Sequence, residues 1–358
     1  MRCSKCLLPE SMPRIKFDDS GICNYCHSYK RQKILGEKAL ASIINRFRHK
    51  NNDYDCIVNI SGGRDSSYTI LKMVKDYKMR VLAVNYQNPF THPLATENID
   101  KIKNILGVKL ISFSFKPGFH QRILRDNLKA LLKRPDPAMV PMVCISCKLI
   151  WKNILDIAKN YNIKLIVSGG NYFEQTSFKR VLLGSDQNQD IKKYYSRYIA
   201  GLTFRALRNF RYLRPQTLLP TIKGYLYSNP YSPMVRFKAR DTMKIDLFYY
   251  LPWNEKEVVG RIQNELDWLY PKEGSGSWRF DCLIGHLKDY FYLKTLGLTE
   301  KDDFYSKLIR EGIMTREEGL KRLEIENEVN VDSLNKVLNM VGINYNLLEN
   351  LLTNNTND

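Results

Sequence analysis

The run Asp55-Cys56-Ile57-Val58-Asn59-Ile60 leads straight into Ser61-Gly62-Gly63-Arg64-Asp65-Ser66-Ser67, and no other feature restricts the fold as much. Its first half is short, apolar and β-branched, and reads as a buried strand. A helical pattern with Ile70, Leu71 and Val74 on one face then begins near Tyr68. A strand that breaks at a glycine pair and turns into a helix lets backbone N–H groups approach an anion, with the positive end of the helix behind them. Ser61, Ser66 and Ser67 add hydroxyl donors. The spacing is not that of G-x-x-x-x-G-K-[S/T], the other phosphate loop found on such a turn. A chance polar turn is the alternative, and the fit of both flanks opposes it.

The flanks extend the pattern. Strands are expected at RVLAVNYQ (80–87), KLISFSF (109–115) and KLIVSGGN (164–171), with helices through ATENIDKIKNIL, along a basic stretch to Lys133 and after a central cysteine pair. Strands alternating with helices predict an α/β fold with a doubly wound parallel sheet and a ligand at the carboxyl ends of its strands. Residues 61–67, Asn85 and Gly169-Gly170-Asn171 would converge there. Beyond residue 220 the prolines Pro220, Pro230 and Pro233 and the string GYLYSNPYSPM read as an irregular connector. MKIDLFYY reads as a short extended segment before an amphipathic helix. Capped helices follow from Thr299, Thr315 and Asp332, with a capping box from Thr315 to Glu318, and the tail NNTND reads as frayed. The expected division is 1–48, a cysteine ribbon and linker helix; 49–220, the phosphate-loop domain; and 221–358, a mainly helical region.

Eight cysteines carry a second signal. Cys3, Cys6, Cys23 and Cys26 form two C-x-x-C knuckles that can complete one tetrahedral thiolate site, and Zn2+ suits a short segment that owns no core. His27 beside the second knuckle reads as a bystander. Cys144 and Cys147 form a third C-x-x-C ahead of a helix, whose dipole would lower their thiol pKa. With Cys282 they would make a three-cysteine iron–sulfur site with one open iron position; a zinc or structural thiol pair without Cys282 is the alternative. Cys56 reads as a core thiol.

The 358 residues carry a formal charge of +19 with 44% hydrophobic and 26% charged residues. That mix excludes a disordered chain. No apolar run approaches the roughly 18 residues of a membrane span, and the N-terminus lacks a secretory pattern, so the expected compartment is the cytoplasm. The charge admits nucleic acid, phosphorylated metabolites or an anionic surface as partners, or simply solvated lysine-rich faces. It is scattered; the densest cluster is Arg46-Phe47-Arg48-His49-Lys50.

SGGRDSS resembles the SGGxDS loop of the ATP-pyrophosphatase (PP-loop) superfamily, whose members adenylate a substrate oxygen and release pyrophosphate. With the four-cysteine ribbon, Cys144-x-x-Cys147-Lys148, VSGGN, SWRFDCLIGHLKDY and the capped tail, the chain resembles the N-acetyl sugar amidotransferase family over nearly its whole length. The resemblance implies conversion of an acetamido group to an acetamidino group on a bacterial surface sugar of a lipopolysaccharide O-antigen or a nonulosonic acid. It implies a sugar or sugar-nucleotide substrate, ATP, and ammonia from a separate glutamine amidotransferase (glutaminase) subunit. Asp65 would hold Mg2+ or orient the loop, Arg64, where related loops commonly carry Lys, would neutralise phosphate charge, and Ser66 completes the catalytic set. Ser61, Gly62, Gly63, Ser67, Asn85, Gly169, Gly170 and Asn171 would help bind the nucleotide. Arg279, Asp281 and His286 are candidates for the sugar side, and His49 and His120 read as surface residues. The alternative activity is tRNA thiolation, since several PP-loop tRNA-thiolating enzymes combine zinc knuckles, a central C-x-x-C and a distant third cysteine. A non-enzymatic ribbon adaptor with a relic nucleotide fold is opposed by the intact loop.

Overall fold

Five parallel strands form the central sheet of the computed structural model, which describes residues 1–48, 52–185, 191–228, 232–272, 276–346 and 348–349. They are β1 (Cys56–Asn59), β2 (Val81–Tyr86), β3 (Lys109–Phe113), β4 (Leu165–Ser168) and β5 (Met243–Asp246), in the order β3-β2-β1-β4-β5. Ile57 pairs with Leu82 on one side and Ile166 on the other, so β1 is central. Every residue of β2 is buried, as expected for a strand covered on both faces. Successive residues serve opposite faces: Val58, Ala83 and Val167 pack towards Trp253, Trp268 and Phe304, whereas Ile57, Leu82 and Ile166 pack under Ile154 and Leu155. The doubly wound parallel architecture is as expected.

The expected boundary at 220 does not separate the sheet from the C-terminal region. β5 comes from the extended MKID segment and pairs with β4 from Leu165↔Met243 to Ser168↔Asp246, covering an edge that would otherwise be open. The connector is also more regular than its prolines suggest. Pro220 lies inside the helix Pro215–Tyr227 and Pro233 starts the helix Pro233–Lys238, where a missing N–H costs nothing; Pro230 lies outside the described residues. The loop helix starts at Arg64, not near Tyr68, because Ser67 N and Oγ and Ser66 Oγ all donate to the Gly63 carbonyl. In the tail, Thr299 forms the reciprocal box with Asp302. Thr315 accepts from Glu318 N at 3.1 Å without a return bond, and the last cap is Asn330 in place of Asp332. The final residues 350–358 lie outside the described set.

One helical stretch, Pro137–Asn160, is long and apolar enough by length and composition to cross a membrane, which differs from the expectation that no such stretch exists. Half of its most apolar window is buried inside the protein. Its residues Met139, Val140, Met142, Val143 and Ile145 share a core with Leu287, Tyr290 and Phe291 of the helix Ile284–Leu296. In the basic cluster, Arg46 sits 5.4 Å from the Phe47 ring and Arg48 donates to Tyr77 O at 2.6 Å; His49 and Lys50 lie outside the described residues.

The C-terminal helices are joined to the loop by Arg64. Its side chain is 2% exposed, with Nη1 donating to Glu255 Oε1 at 2.7 Å and Ser277 Oγ at 2.9 Å, and Nε to Asp65 Oδ1 at 3.3 Å. Its guanidinium lies over the rings of Trp253 and Phe304 at 4.8 and 5.6 Å. Arg322 closes the other side of Glu255 at 2.5 Å. Burial opposes ionisation of Glu255, yet Arg64 and Arg322 hold its carboxyl down to about 2. The guanidinium is therefore held by buried carboxylates while Arg64 also lines the cavity beside the loop, a commitment the sequence did not show. Replacing it by alanine leaves Glu255 and Asp65 buried without their partner, so Arg64→Ala should cost about 3–5 kcal/mol in urea unfolding. A variant of unchanged stability would contradict the ion-pair assignment. Gly62 has φ +79°, and a Cβ there would stand 2.0 Å from the Ala95 carbonyl oxygen. Gly62→Ala should therefore lower the unfolding free energy by about 2 kcal/mol or more, read in the same titration.

Candidate active site

With the order β3-β2-β1-β4-β5, the chain reverses its direction of winding between β1 and β4, and a crevice opens at their carboxyl ends. A cavity of about 410 Å³ occupies it. Ser61, Gly63, Arg64, Asp65 and Ser66 form one wall and Gly169 and Gly170 another, so the two glycine turns meet as expected. Gly169 has no space for a side chain, since a Cβ would lie 2.5 Å from the Asp65 carbonyl oxygen. That close approach sets the helix start against the end of β4.

Four of the expected nucleotide ligands act behind the wall instead. The Gly62 carbonyl accepts from Asn98 Nδ2 at 3.1 Å and Trp268 Nε1 at 2.9 Å. Ser67 is fully buried and donates to Gly63 O at 2.8 Å. Asn85 donates to Ile60 O at 2.9 Å, fixing the end of β1. Asn171 Nδ2 donates to Asp65 Oδ2 at 2.8 Å while its Oδ1 accepts from Glu174 N at 3.0 Å. Each commits its polar group to positioning the loop. Ser66 does face the cavity; its hydroxyl accepts from Ser61 N at 3.2 Å.

Asp65 is the most constrained of the lining acids. Oδ1 accepts from Trp253 Nε1 at 3.0 Å and from Arg64, and Oδ2 from Asn171. Burial pushes its carboxyl up to about 6, with Glu174 adding to the rise and Arg64, Trp253 and Asn171 opposing it. Burial also raises Asp281, against a hydrogen bond from Ser61. Glu174 completes an acidic side of the cavity.

The opposite side is cationic. Arg279 and Lys288 line the cavity, and each donates to Glu300 Oε2 at 3.0 Å. Glu300 is 3% exposed and also holds Lys179. Lys148 is pushed down by burial, opposed by nearby Cys144 and Cys147, and its Nζ lies 4.9 Å from the Tyr225 ring centre. Arg279 and Asp281 both line this cavity. His286 does not line the cavity: burial lowers its pKa, and its charged neighbours are Asp289, Lys301 and His92. His120 is not a surface residue either; it is 2% exposed, bonded through Nδ1 to Tyr86 OH at 2.8 Å, and burial pushes it down to about 4. Glu174, Ser277 and Lys288 went unmarked in the sequence. Lys288 has a legible signal, because it lies one helical turn after Ile284 on the same face of the helix Ile284–Leu296, and both line the cavity.

Two cysteine groups are built differently. Cys3, Cys6, Cys23 and Cys26 are buried with all four sulfurs within 4.8 Å of one another. Cys3–Cys26 and Cys6–Cys23 sulfurs are 3.9 and 3.8 Å apart. Tetrahedral coordination with metal–sulfur bonds of about 2.3 Å gives edges of about 3.8 Å, so this donor set fits one metal ion. Arg310 donates to Cys26 Sγ at 3.4 Å and Cys6 Sγ at 3.3 Å, supplying positive charge to the thiolates. His27 pairs with Asp18 at 2.7 Å, outside the site, and Cys56 is a fully buried core thiol.

Cys144, Cys147 and Cys282 all line the main cavity. Among the described residues the trio is not gathered as closely as the N-terminal four, whose sulfurs lie within 4.8 Å of one another. Cys282 is brought in by a bridge to Thr91, and Asn88 Nδ2 donates to its sulfur at 3.3 Å. Burial pushes the thiol of Cys147 up, and that of Cys282 up to about 12. For Cys147 this is the reverse of the lowering expected from a helix terminus; the helix that carries it, Ile145–Lys148, is only four residues long, and desolvation outweighs its dipole.

The chain is similar to protein MJ1599 of Methanocaldococcus jannaschii, at 20% identity over 330 residues covering 90% of this chain and 93% of that protein. Among solved structures it is similar to a U34-tRNA thiolase, NcsA, of Methanococcus maripaludis with its [4Fe-4S] cluster, at 17% identity and TM-score 0.32 over 92% of this chain and 91% of that one. The NH3-dependent NAD synthetase of Campylobacter jejuni aligns at 14% identity and TM-score 0.30, over 64% and 91% of the two chains. Residues 276–358 match the family described as LPS biosynthesis protein WbpG-like, C-terminal domain. The matched segment is the one that carries Ser277, Arg279, Asp281, Cys282 and Lys288 into the cavity, so that part of the wall is similar to the C-terminal domain of WbpG-like lipopolysaccharide biosynthesis proteins.

Proposed function

We propose that this chain is a cytoplasmic ATP-dependent amidotransferase that turns an acetamido group of a bacterial surface-sugar precursor into an acetamidino group. One observation carries the reading: the SGGRDSS loop and the WbpG-like segment line the same cavity, so a phosphate-binding turn and a lipopolysaccharide-biosynthesis segment share one reaction space. O-antigen and nonulosonic acid precursors are the sugar classes in view.

The chemistry starts from a poor electrophile. An amide carbonyl resists ammonia, and its oxygen is not a leaving group. Attack of the amide oxygen on the α-phosphorus of ATP forms a C–O–P link and breaks the Pα–O–Pβ bond, expelling pyrophosphate. Ammonia then adds to the imidate carbon, and AMP leaves with the former amide oxygen, giving the amidine. Ser61, Ser66 and the Gly63 turn cradle the departing pyrophosphate, where charge accumulates. Asp65 and Glu174, both facing the cavity, are hard oxygen donors suited to Mg2+, which neutralises phosphate charge when bound. Arg279 and Lys288 face the acceptor side. In the ribbon, the sulfur edges and the absence of any redox demand favour Zn2+. Ammonia comes from a separate glutamine amidotransferase subunit.

A second reading, tRNA thiolation, is favoured by Cys144, Cys147 and Cys282 on the cavity wall. Three thiols with room between them suit an iron–sulfur cluster with an open iron, which supplies a site for sulfur when bound. Mass spectrometry separates the two. Incubated with ATP and ammonium, an acetamido sugar should lose about one mass unit as oxygen is exchanged for NH, with AMP and pyrophosphate released. Glutamine should substitute for ammonium only when a glutaminase subunit is added. No change in any acetamido sugar, together with a thiolated tRNA base formed from sulfide and ATP, would overturn the amidotransferase reading.

The acidic limb of the pH profile is set by Asp65. Its ionised form is the one that serves a cation, and its raised pKa means that this form is lost as pH falls through about 6. Measured kcat/KM should then decline about tenfold per pH unit below that point, and Asp65→Asn should abolish pyrophosphate release. For the ribbon, elemental analysis should find one zinc per chain, absent from a Cys3→Ser/Cys26→Ser variant. Removal by chelator should lower Tm, and a zinc-free preparation of full stability would exclude a structural metal.

A further inference from the structure

A second cavity, of about 750 Å³, lies beside the first and plays no part in the proposed reaction. Its floor is the β4–β5 side of the sheet at Ile166, Lys244 and Ile245, and its cover is the helices Ile150–Asn160 and Pro233–Lys238. The partition from the main cavity is thin: a Cβ on Gly170 would stand 2.7 Å from Asp246 Oδ1, and Gly170 lines one cavity while Asp246 lines the other.

The lining is unbalanced in charge. Among the described residues that line it, Arg236, Arg240 and Lys244 meet Asp246 as the one acid. Arg236 and Arg240 are exposed at the rim, whereas Lys244 is half-buried deeper in, with its Nζ 4.2 Å from the centre of the Trp151 ring. Among the described residues Lys244 has no carboxylate at ion-pair distance; burial lowers its pKa and Asp246 opposes this from further off. A cation held on an aromatic face beside a surplus of arginines leaves positive charge that an anion would satisfy. Trp151, Tyr249 and Tyr250 supply flat apolar walls in the same space. Arginines at a rim, a lysine below and rings alongside are the groups that a phosphate ester with an aromatic base requires, and the volume lies within the usual range for such ligands, about 300–1,000 Å³.

The geometry points to a second ligand site, separate from the phosphate loop, that takes a nucleoside diphosphate: the diphosphate on Arg236, Arg240 and Lys244, the base against Trp151 and the tyrosines. This assignment does not depend on the reaction proposed above. Isothermal titration of the full chain tests it, with a non-hydrolysable ATP analogue held saturating so that the phosphate loop is filled. Uridine diphosphate, adenosine diphosphate and inorganic pyrophosphate are the probes. One equivalent of a nucleoside diphosphate should still bind, and the Arg236→Ala/Arg240→Ala variant should weaken it at least tenfold. That variant alters exposed side chains and should leave affinity for the ATP analogue unchanged, whereas Lys244→Met changes the interior and carries the risk of misfolding. Trp151→Leu should weaken the nucleoside diphosphates and leave pyrophosphate unmoved. Complete competition with the ATP analogue, or binding indifferent to the arginine pair, would overturn the site. Pyrophosphate binding as tightly as the nucleotides and equally sensitive to Trp151 would overturn the base pocket. Displacement by an RNA oligonucleotide with steeply salt-dependent affinity would assign this face to nucleic acid and overturn the proposal.

Discussion

The buried guanidinium of Arg64 is the interaction on which the rest of the structure depends. It is the first residue of the loop helix, yet its contacts run to Glu255, Ser277 and Glu174, far along the chain. A lone buried charge is too costly to persist, so these partners must arrive together for the loop to settle. Arg322 then shares Glu255 with it, drawing the helix Arg316–Glu326 into the same network. A lysine would not reproduce this, because one guanidinium addresses three acids and lies over two aromatic rings at once. The phosphate loop is thereby coupled to the C-terminal region by electrostatics and not only by chain connection. The sheet makes a second coupling through β5, which crosses the boundary that composition suggested.

What was legible in the sequence was periodic or punctuated. The β1 run, the glycine pairs at 62–63 and 169–170 and the strand–helix alternation predicted the sheet and the place of its crevice, because local sterics decide those features. The paired knuckles likewise announced four sulfurs that the fold gathers within 4.8 Å. Burial was not legible. Ser67, Asn85 and Asn171 are donors by residue type, and only tertiary structure shows their hydrogen bonds committed to Gly63, Ile60 and Asp65. His120 looks like a surface histidine in a basic helix, and becomes interior because Tyr86 offers it a hydrogen bond and Phe90 packs on its ring. Glu174 and Ser277 carry no local pattern; they matter because Arg64 stands between them.

The cysteines show how one residue type divides between roles by spacing and surroundings. Four sulfurs at single-ion separation, with Arg310 beside them, form a closed site remote from solvent. The other three open onto the cavity, where burial favours the neutral form of Cys147 and Cys282 unless a metal or the nearby cations compensate. Both carbonyl amidation and base thiolation begin by activating an oxygen with ATP, so a shared loop is compatible with either. The distinction lies in what the cavity wall must donate next. Ammonia needs only access to the activated carbon, whereas sulfur transfer needs a soft ligand that can hold and release it.

The ribbon is also tied to the cationic wall through one helix. Glu300–Glu311 begins with the carboxylate that gathers Lys179, Lys288 and Arg279. It ends with Arg310 on the ribbon sulfurs and Glu311 accepting from Tyr29 OH at 2.6 Å. Leu7 N and Ser306 Oγ bond in between at 3.0 Å, and Arg2 reaches Asp302 at 2.6 Å. At about 1.5 Å per residue, the two ends of this helix are roughly 15 Å apart, and a rigid helix transmits any shift of one to the other. Without a metal to fix the four sulfurs, Arg310 would be held less firmly, and the helix would lose an anchor at the end away from the cavity. An ion in the ribbon would thus have a physical route to the charges that line the cavity, although it would touch none of them.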